Sequence, residues 1–280
     1  MRLVREALPI SERRACLVLD CARSSHRYAS RRPPREARLL ARLVALHLLH
    51  PRYGYRRMTV MLRRAGWTVN RKAVQRLWAL AGLQVPRKRC KRRHGSAAHS
   101  HLVASRPGEI WCLDFMQDRT ADGRSVRLLG VLDEFTREGL AFVPDRRMTA
   151  EDVIDVLEGL VFRQGAPAYL RCDNGPEFIA DAIRAWLAAA GIATLYIEPG
   201  CPWQNGTMES WNGKTRDEFL DRELLGSVEE TAWLATRHLW QYNHERPHSS
   251  LGDLAPLEFK AKWLAEHGGV AAGGMTEAHA

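Results

Sequence analysis

The chain has 280 residues, 45% of them hydrophobic and 26% charged, enough to bury one sizeable core with smaller attachments. Its formal net charge of +10 is unevenly placed: residues 1–105 hold 25 Lys/Arg against 4 Asp/Glu, whereas the remainder holds 17 against 28. Such a basic arm implies a polyanionic partner, nucleic acid first, and the longest apolar stretch (Leu39 to Leu49) is broken by Arg42 and too short to span a bilayer.

Six scattered cysteines (Cys16, Cys21, Cys90, Cys112, Cys172, Cys201) contain no CxxC pair and read as reduced thiols. His94, His99 and His101 lie near Cys90 without a second paired ligand set, so a polar linker is expected there rather than a zinc site. The charged N-terminus does not read as a secretory signal, and a cytoplasmic, nucleoid-associated protein is expected.

In chain order, Ser11 is an N-cap for a helix reaching Asp20, and Ser24 for a short helix through Tyr28. Together they outline a helix-turn-helix-like segment over residues 1–32. After Arg31-Arg32-Pro33-Pro34, a helix from Pro34 to Leu49 is expected to bury Leu39, Leu40, Val44 and Leu48. Gly54-Tyr55 opens a helix to Arg64, Ala65-Gly66 turns the chain, and Asn70 caps a helix from Arg71 to Ala81 that carries Arg71, Lys72 and Arg76. Residues 33–85 therefore form a helical, helix-turn-helix-like DNA-binding domain, with the last helix as the reader. Residues 86–105, starting Pro86-Arg-Lys-Arg, form a basic linker.

From Pro107 the pattern becomes strands: Ile110–Gln117, Val126–Phe135 and Leu140–Pro144, spaced as an antiparallel meander. Thr149 caps a helix from Ala150 to Phe162 with Val153, Leu157 and Leu160/Val161 inward. A strand Ala168–Cys172, a helix from about Phe178 to Ala190, a strand Ala193–Ile197 and a helix Gln204–Leu220 follow. This order is that of a ribonuclease-H-like, mixed five-stranded α/β sheet with flanking helices, here over residues 106–225. A C-terminal helical extension (226–264), starting near Val228 and carrying Tyr242, Arg246 and His248 at its end, precedes a tail (265–280) expected to be disordered.

Three acids organise this core. Asp173 falls where its strand ends, before the turn signal Asn174-Gly175, and Glu209 follows after 35 intervening residues, on a helix face shared with Asn205, Gly213 and Arg216. Asp114 interrupts the apolar strand Trp111-Cys-Leu-Asp-Phe115, which is costly for a carboxylate that is neither paired nor coordinated. Three oxygen ligands of like charge are reconciled by hard cations such as Mg²⁺, and a pair of such ions is the usual device for in-line displacement at phosphorus.

These blocks, with Asn205-Gly-Thr-Met-Glu-Ser-Trp-Asn-Gly213, the Arg216 seven residues past the glutamate and Tyr242-Asn-His-Glu-Arg-Pro-His-Ser-Ser-Leu-Gly252, resemble the second-frame product of the two-frame bacterial insertion-sequence transposases. The resemblance covers roughly residues 11 to 260 and includes kinship to retroviral integrases. It implies that Asp114, Asp173 and Glu209 hold two Mg²⁺ or Mn²⁺ ions. It also implies cleavage of one strand at each element end, strand transfer by the freed 3′-hydroxyl, a homo-oligomer in the paired-end complex, and an upstream-frame protein or frameshift fusion as partner. Two other readings stand beside it: a nuclease or resolvase without strand transfer, and a DNA-binding regulator with an inactive core.

Lys214 and Arg216, beside the acids, read as phosphate contacts, with Asn205 and Asn212 as further DNA-facing residues. Asp118, Asp122, Asp133 and Glu134 read as surface or turn carboxylates, Glu177 as a helix-start acid, and Trp203 and Trp211 as core. His248 is not expected to serve as a general base.

Overall fold

Strand β1 (Ile110–Arg119) is the middle of a five-stranded sheet ordered β3-β2-β1-β4-β5. The computed structural model describes residues 11–27, 33–85, 102–173, 175, 181–197 and 205–267. Strand β2 (Ser125–Asp133) pairs antiparallel with β1 and with β3 (Gly139–Asp145). Strands β4 (Tyr169–Cys172) and β5 (Ala193–Tyr196) run parallel to β1. A parallel neighbour needs a crossover, which is a helix over Ala150–Gln164. Thr149 and Asp152 start that helix as a reciprocal capping box.

Alternation along β1 divides the core in two. Trp111 and Leu113 face Val153, Leu157 and Leu160 of the crossover helix, with Ile183 and Leu187 from the helix Asp181–Ala189. Ile110, Cys112 and Met116 point the other way, onto Met208 and Trp211 of the helix Gly206–Thr215, then Phe219, Leu234 and Tyr242. Each fully buried Leu or Val contributes roughly 1.5–3 kcal/mol, so both layers pin the sheet and whatever its strands carry.

In chain order the helices are α1 (Glu12–Val18), α2 (Arg23–Arg27), α3 (Pro33–Leu49), α4 (Tyr55–Arg64), α5 (Arg71–Leu80), α6 (Ala150–Gln164), α7 (Asp181–Ala189), α8 (Gly206–Thr215), α9 (Val228–His244) and α10 (Pro256–His267). Ser11 and Asn70 cap α1 and α5 as expected, while α2 starts at Arg23, so Ser24 lies inside it. The helix expected through Leu220 changes register: a π turn over Arg216–Leu220 follows α8.

Several expectations are corrected. In α3 the buried stripe is Leu39, Leu43 and Leu46, whereas Leu48 is 73% exposed and Val44 also faces solvent. The helix is apolar on adjoining faces, and periodicity alone does not choose between them. The segment 226–264 is not a separate extension: Leu234, Ala235 and Tyr242 of α9 fill the same core as β1 and β2, and Asn243 exchanges two hydrogen bonds with the Gly139 backbone (2.9 and 2.8 Å). The last residues of the expected linker also join the core, with Ala104 buried and the Leu102 carbonyl accepting from Arg171. Residues 265–267 continue α10 rather than a tail.

Residues 1–10, 28–32, 86–101 and 268–280 lie outside the described residues, with Cys90, His94, His99, His101, Glu177, Cys201 and Trp203. Cys16, Cys21, Cys112 and Cys172 are free thiols. Among the described residues, no helix is long and apolar enough to cross a membrane.

Helices α3, α4 and α5 close over their own core of Leu43, Met58, Leu62, Val74, Leu77 and Trp78. Arginines dock this cluster on the sheet domain. Arg52 grips Asp217 through two hydrogen bonds, Arg57 reaches Glu218 at 2.8 Å, and Arg64 reaches Glu258 at 2.6 Å. Three of the basic arm's cations are thus paired with acids of the sheet domain.

Candidate active site

Strand register sets the first two acids side by side. The last β1–β4 pair is Cys112 with Arg171, and two residues further along each strand direction stand Asp114 and Asp173. By strand alternation both fall on the face of Cys112 and Arg171, Asp114 within β1 and Asp173 one residue past the end of β4. That is the face covered by α8, which carries Glu209.

Gly130 lets α8 come that close. It lies directly opposite Asp114 in the β1–β2 ladder, and a Cβ there would collide with the Trp211 ring and lie 2.7 Å from Met208 Cε. A glycine inside an apolar strand is the signal of close approach, and here it fixes the depth at which Glu209 sits.

Asp114 Oδ1 accepts from the Phe115 backbone N–H (2.8 Å), and Oδ2 accepts from Asn212 Nδ2 (2.6 Å). Burial raises the pKa of Asp114, and the negative charges of Asp173 and Glu209 push the same way; the hydrogen bonds from Phe115 and Asn212 oppose them. Asp173 is exposed, with Oδ1 accepting from Gly175 N–H at 3.0 Å, and Glu209 is exposed on the first turn of α8.

Asp173 and Glu209 thus both act electrostatically on Asp114. Among the described residues, no three carboxylate, imidazole or thiol groups stand close enough together to hold an ion as they are. The donor set nevertheless fits a hard divalent cation: oxygen ligands only, like-charged, with Asp114 held against ionisation by its neighbours.

Other expected site residues divide sharply. Asn212 turns its amide onto Asp114, donating to Oδ2. Asn205 is buried, with its side-chain oxygen unpartnered among the described residues, and so offers no outward contact. Arg216 lies back on β1, donating to the Gln117 carbonyl (2.8 Å) and to Asp118 (3.4 Å). Lys214 points into a cavity on another side of α8. Arg71 and Lys72 are exposed at the start of α5, and Arg76 is exposed but paired with Glu36 at 2.6 Å.

Asp133 and Glu134, expected as surface or turn carboxylates, are 3% and 5% exposed, so the surface reading fails for both while Asp133 keeps the turn reading. Asp133 accepts from the Thr136 N–H and hydroxyl and from the Gly108 N–H, closing the β2–β3 turn, and Glu134 pairs with buried Arg171 at 2.5 Å. Asp122 does close the turn after β1, accepting from Thr120 and Arg124. Trp211 is core, as expected. Arg246 and His248 lie just beyond α9. Burial holds His248 neutral, with the cations Arg246, Lys214, Arg57 and Arg137 adding to the effect.

A mixed five-stranded sheet with helices on both faces, one acid within the central strand, a second just past the end of its parallel neighbour and a third on the helix above them defines an integrase-type core preceded by a helix-turn-helix-like domain. Family comparison agrees: residues 104–202 and 190–256 match the Integrase core domain, and residues 34–91 match an HTH-like domain. The chain is 37% identical to the insertion element IS476 39.2 kDa protein of Xanthomonas euvesicatoria, over 95% of this chain and 77% of that one. It is also 37% identical to the insertion element IS407 31.7 kDa protein of Burkholderia multivorans, over 95% and 96%. Its fold matches a chain of the simian T-cell lymphotropic virus intasome, solved with a PP2A regulatory subunit, at a TM-score of 0.51 and 17% identity, covering 78% of this chain and 74% of that one. The chain belongs to the family of insertion-sequence transposases built on an integrase core.

Proposed function

We propose that this transposase cuts one DNA strand at each end of its element and joins the freed 3′-hydroxyl to a target phosphodiester, with Asp114, Asp173 and Glu209 as the acids that hold two Mg²⁺ or Mn²⁺ ions. The observation that carries this reading is Asp114, a half-buried carboxylate on the central strand, raised in pKa by burial and by the facing charges of Asp173 and Glu209. When bound, such ions activate the attacking hydroxyl or water and stabilise the leaving oxygen.

The chain's own residues set the geometry. The β1 and β4 backbones fix Asp114 and Asp173 in register, Gly130 sets the height of Glu209, and Asn212 holds the Asp114 carboxylate in one rotamer. Arg216 holds the end of α8 against β1. Arg71 and Lys72 at the exposed start of α5, joined by Arg76 once it exchanges Glu36 for phosphate, supply DNA contacts in the helix-turn-helix-like domain. A paired-end complex of at least two protomers, and a fusion or association with an upstream-frame protein, complete the reading.

The test is direct. Asp114→Asn, Asp173→Asn and Glu209→Gln should each lower cleavage and 3′-hydroxyl joining by at least about a thousandfold while duplex affinity stays within about twofold. Full cleavage by Asp114→Asn would overturn the assignment. A wild-type protein that cuts but never joins labelled 3′ ends would reduce the function to a nuclease.

A further inference from the structure

Helix α8 has a second working side. At about 100° per residue, Glu209 and Asn212 share one face, while Thr207, Ser210 and Lys214 face well away from it. That second side borders a cavity of about 430 Å³ whose far wall is Arg137 from the β2–β3 turn and Ser249 and Ser250 beyond α9.

The cavity is cationic and supplied with donors. The Arg137 backbone is in the left-handed region, φ 62°, and its guanidinium donates to Thr207 Oγ1. Among the described residues, neither Arg137 nor Lys214 forms an ion pair, although both are packed among protein atoms. The one carboxylate on the wall, Glu134, is already neutralised by Arg171. Glu218, the nearest further acid acting on Lys214, is gripped by Arg246 and Arg57. His248 accepts from Arg246, at 3.3 Å, so it is neutral and carries its proton on Nδ1.

Two uncompensated cations with the hydroxyls of Thr207, Ser210, Ser249 and Ser250 around one cavity answer to a tetrahedral oxyanion. We propose that this cavity binds a phosphate of the DNA backbone, one helix thickness from the acids, and so holds the strand in register while the acids act on another phosphodiester. The proposal rests on the DNA-strand-transfer reading above, because that reading supplies the polyanion.

The test uses the full chain with a 30-base-pair duplex and, separately, inorganic phosphate. Removing one phosphate contact lowers the slope of log affinity against log salt by about 0.9. Lys214→Gln and Arg137→Gln should each show that loss and weaken inorganic phosphate binding, read by ³¹P line broadening, by about tenfold. Lys214 has no ion pair to break, so its variant should keep the wild-type thermal midpoint; Ser250→Asp, which brings a carboxylate to the cavity, should lower the slope likewise if Arg137→Gln fails to fold. Unchanged slopes with unchanged phosphate binding overturn the proposal. Unchanged slopes with phosphate binding lost assign the cavity to a free anion and overturn the backbone role. Asp114→Asn should keep the wild-type slope, so cleavage surviving in that variant would sink the catalytic reading while leaving the slope comparison intact.

Discussion

Gly130 stands directly across the β1–β2 ladder from Asp114, and the space its missing side chain leaves is filled by the Trp211 ring. Helix α8 therefore rests on the strand next to the one that bears Asp114. Gly130→Ala should push α8 outward, since the Trp211 ring is itself locked edge-on against Phe142 at 5.1 Å. Overpacking of this kind costs about 1–3 kcal/mol. The expected outcome in chemical denaturation is a loss in that range, with strand cleavage falling by more than the loss of folded protein accounts for. Cleavage that merely tracks the folded fraction would show that the height of Glu209 does not depend on this contact.

Asn212 is a positioning residue, and pH separates that role from a merely structural one. Its hydrogen bond to Asp114 favours the ionised carboxylate, against burial and the facing acids. Without it the Asp114 pKa rises further, so the acidic limb of the pH–rate profile for Asn212→Leu should move to higher pH. Asn212→Gln should restore part of the shift if its amide reaches the same oxygen. An unmoved limb in Asn212→Leu would remove Asn212 from the site.

Glu218 joins the helical domain to the core. It accepts two hydrogen bonds from buried Arg246 (2.7 and 2.6 Å) and one from Arg57 on α4 (2.8 Å). Burial alone would raise its pKa, but those arginines hold it below the ordinary carboxylate value. Glu218→Ala leaves the buried Arg246 charge without a counter-ion, a change that typically costs about 3–5 kcal/mol. A group with a lowered folded pKa stabilises the fold above its unfolded pKa and loses that contribution as pH falls through the folded one. The gap between wild type and Glu218→Ala should therefore be full at neutral pH and narrow below the usual carboxylate range, as urea midpoints would show. A gap that is the same at pH 7 and pH 3 would contradict this account.

The sequence made the catalytic core legible because its signals are local. An acid inside an apolar strand, a strand ending before Asn-Gly and a regular helix after Gly206 each reflect a few neighbouring residues, and the observed strands fall within two or three residues of those expected. The burial of Asp133 and Glu134 was not legible, since their partners Gly108 and Arg171 come from other segments. The same holds for Asn212, whose orientation depends on the depth of α8, and for Arg57, which meets Glu218 across 161 residues of chain. Lys214 and Arg216 looked equivalent in sequence, two positions apart, yet helical geometry sends one into the cavity and the other onto β1.

His238 gives the molecule a second acid sensitivity. It lies in the α9 layer, stacked on Phe219 with centroids 4.9 Å apart, and its Nε2 has no partner among the described residues. Burial lowers its pKa to about 4; the cations Arg246 and Arg237 add to the effect, and Glu218 opposes it. The unfolded chain takes up a proton near the usual value of about 6.5, and the folded protein does so only near the lowered one. Stability is therefore complete above the unfolded value and declines as pH falls from about 6.5 towards 4. At about 1.36 kcal/mol per pKa unit the decline amounts to roughly 3 kcal/mol. His238→Phe retains the stack and removes the proton site, so it should flatten that part of the curve: little change against wild type at pH 8, and a clear gain in the urea midpoint at pH 5. Equal midpoint differences at the two pH values would show that protonation of His238 is not what weakens the fold in acid.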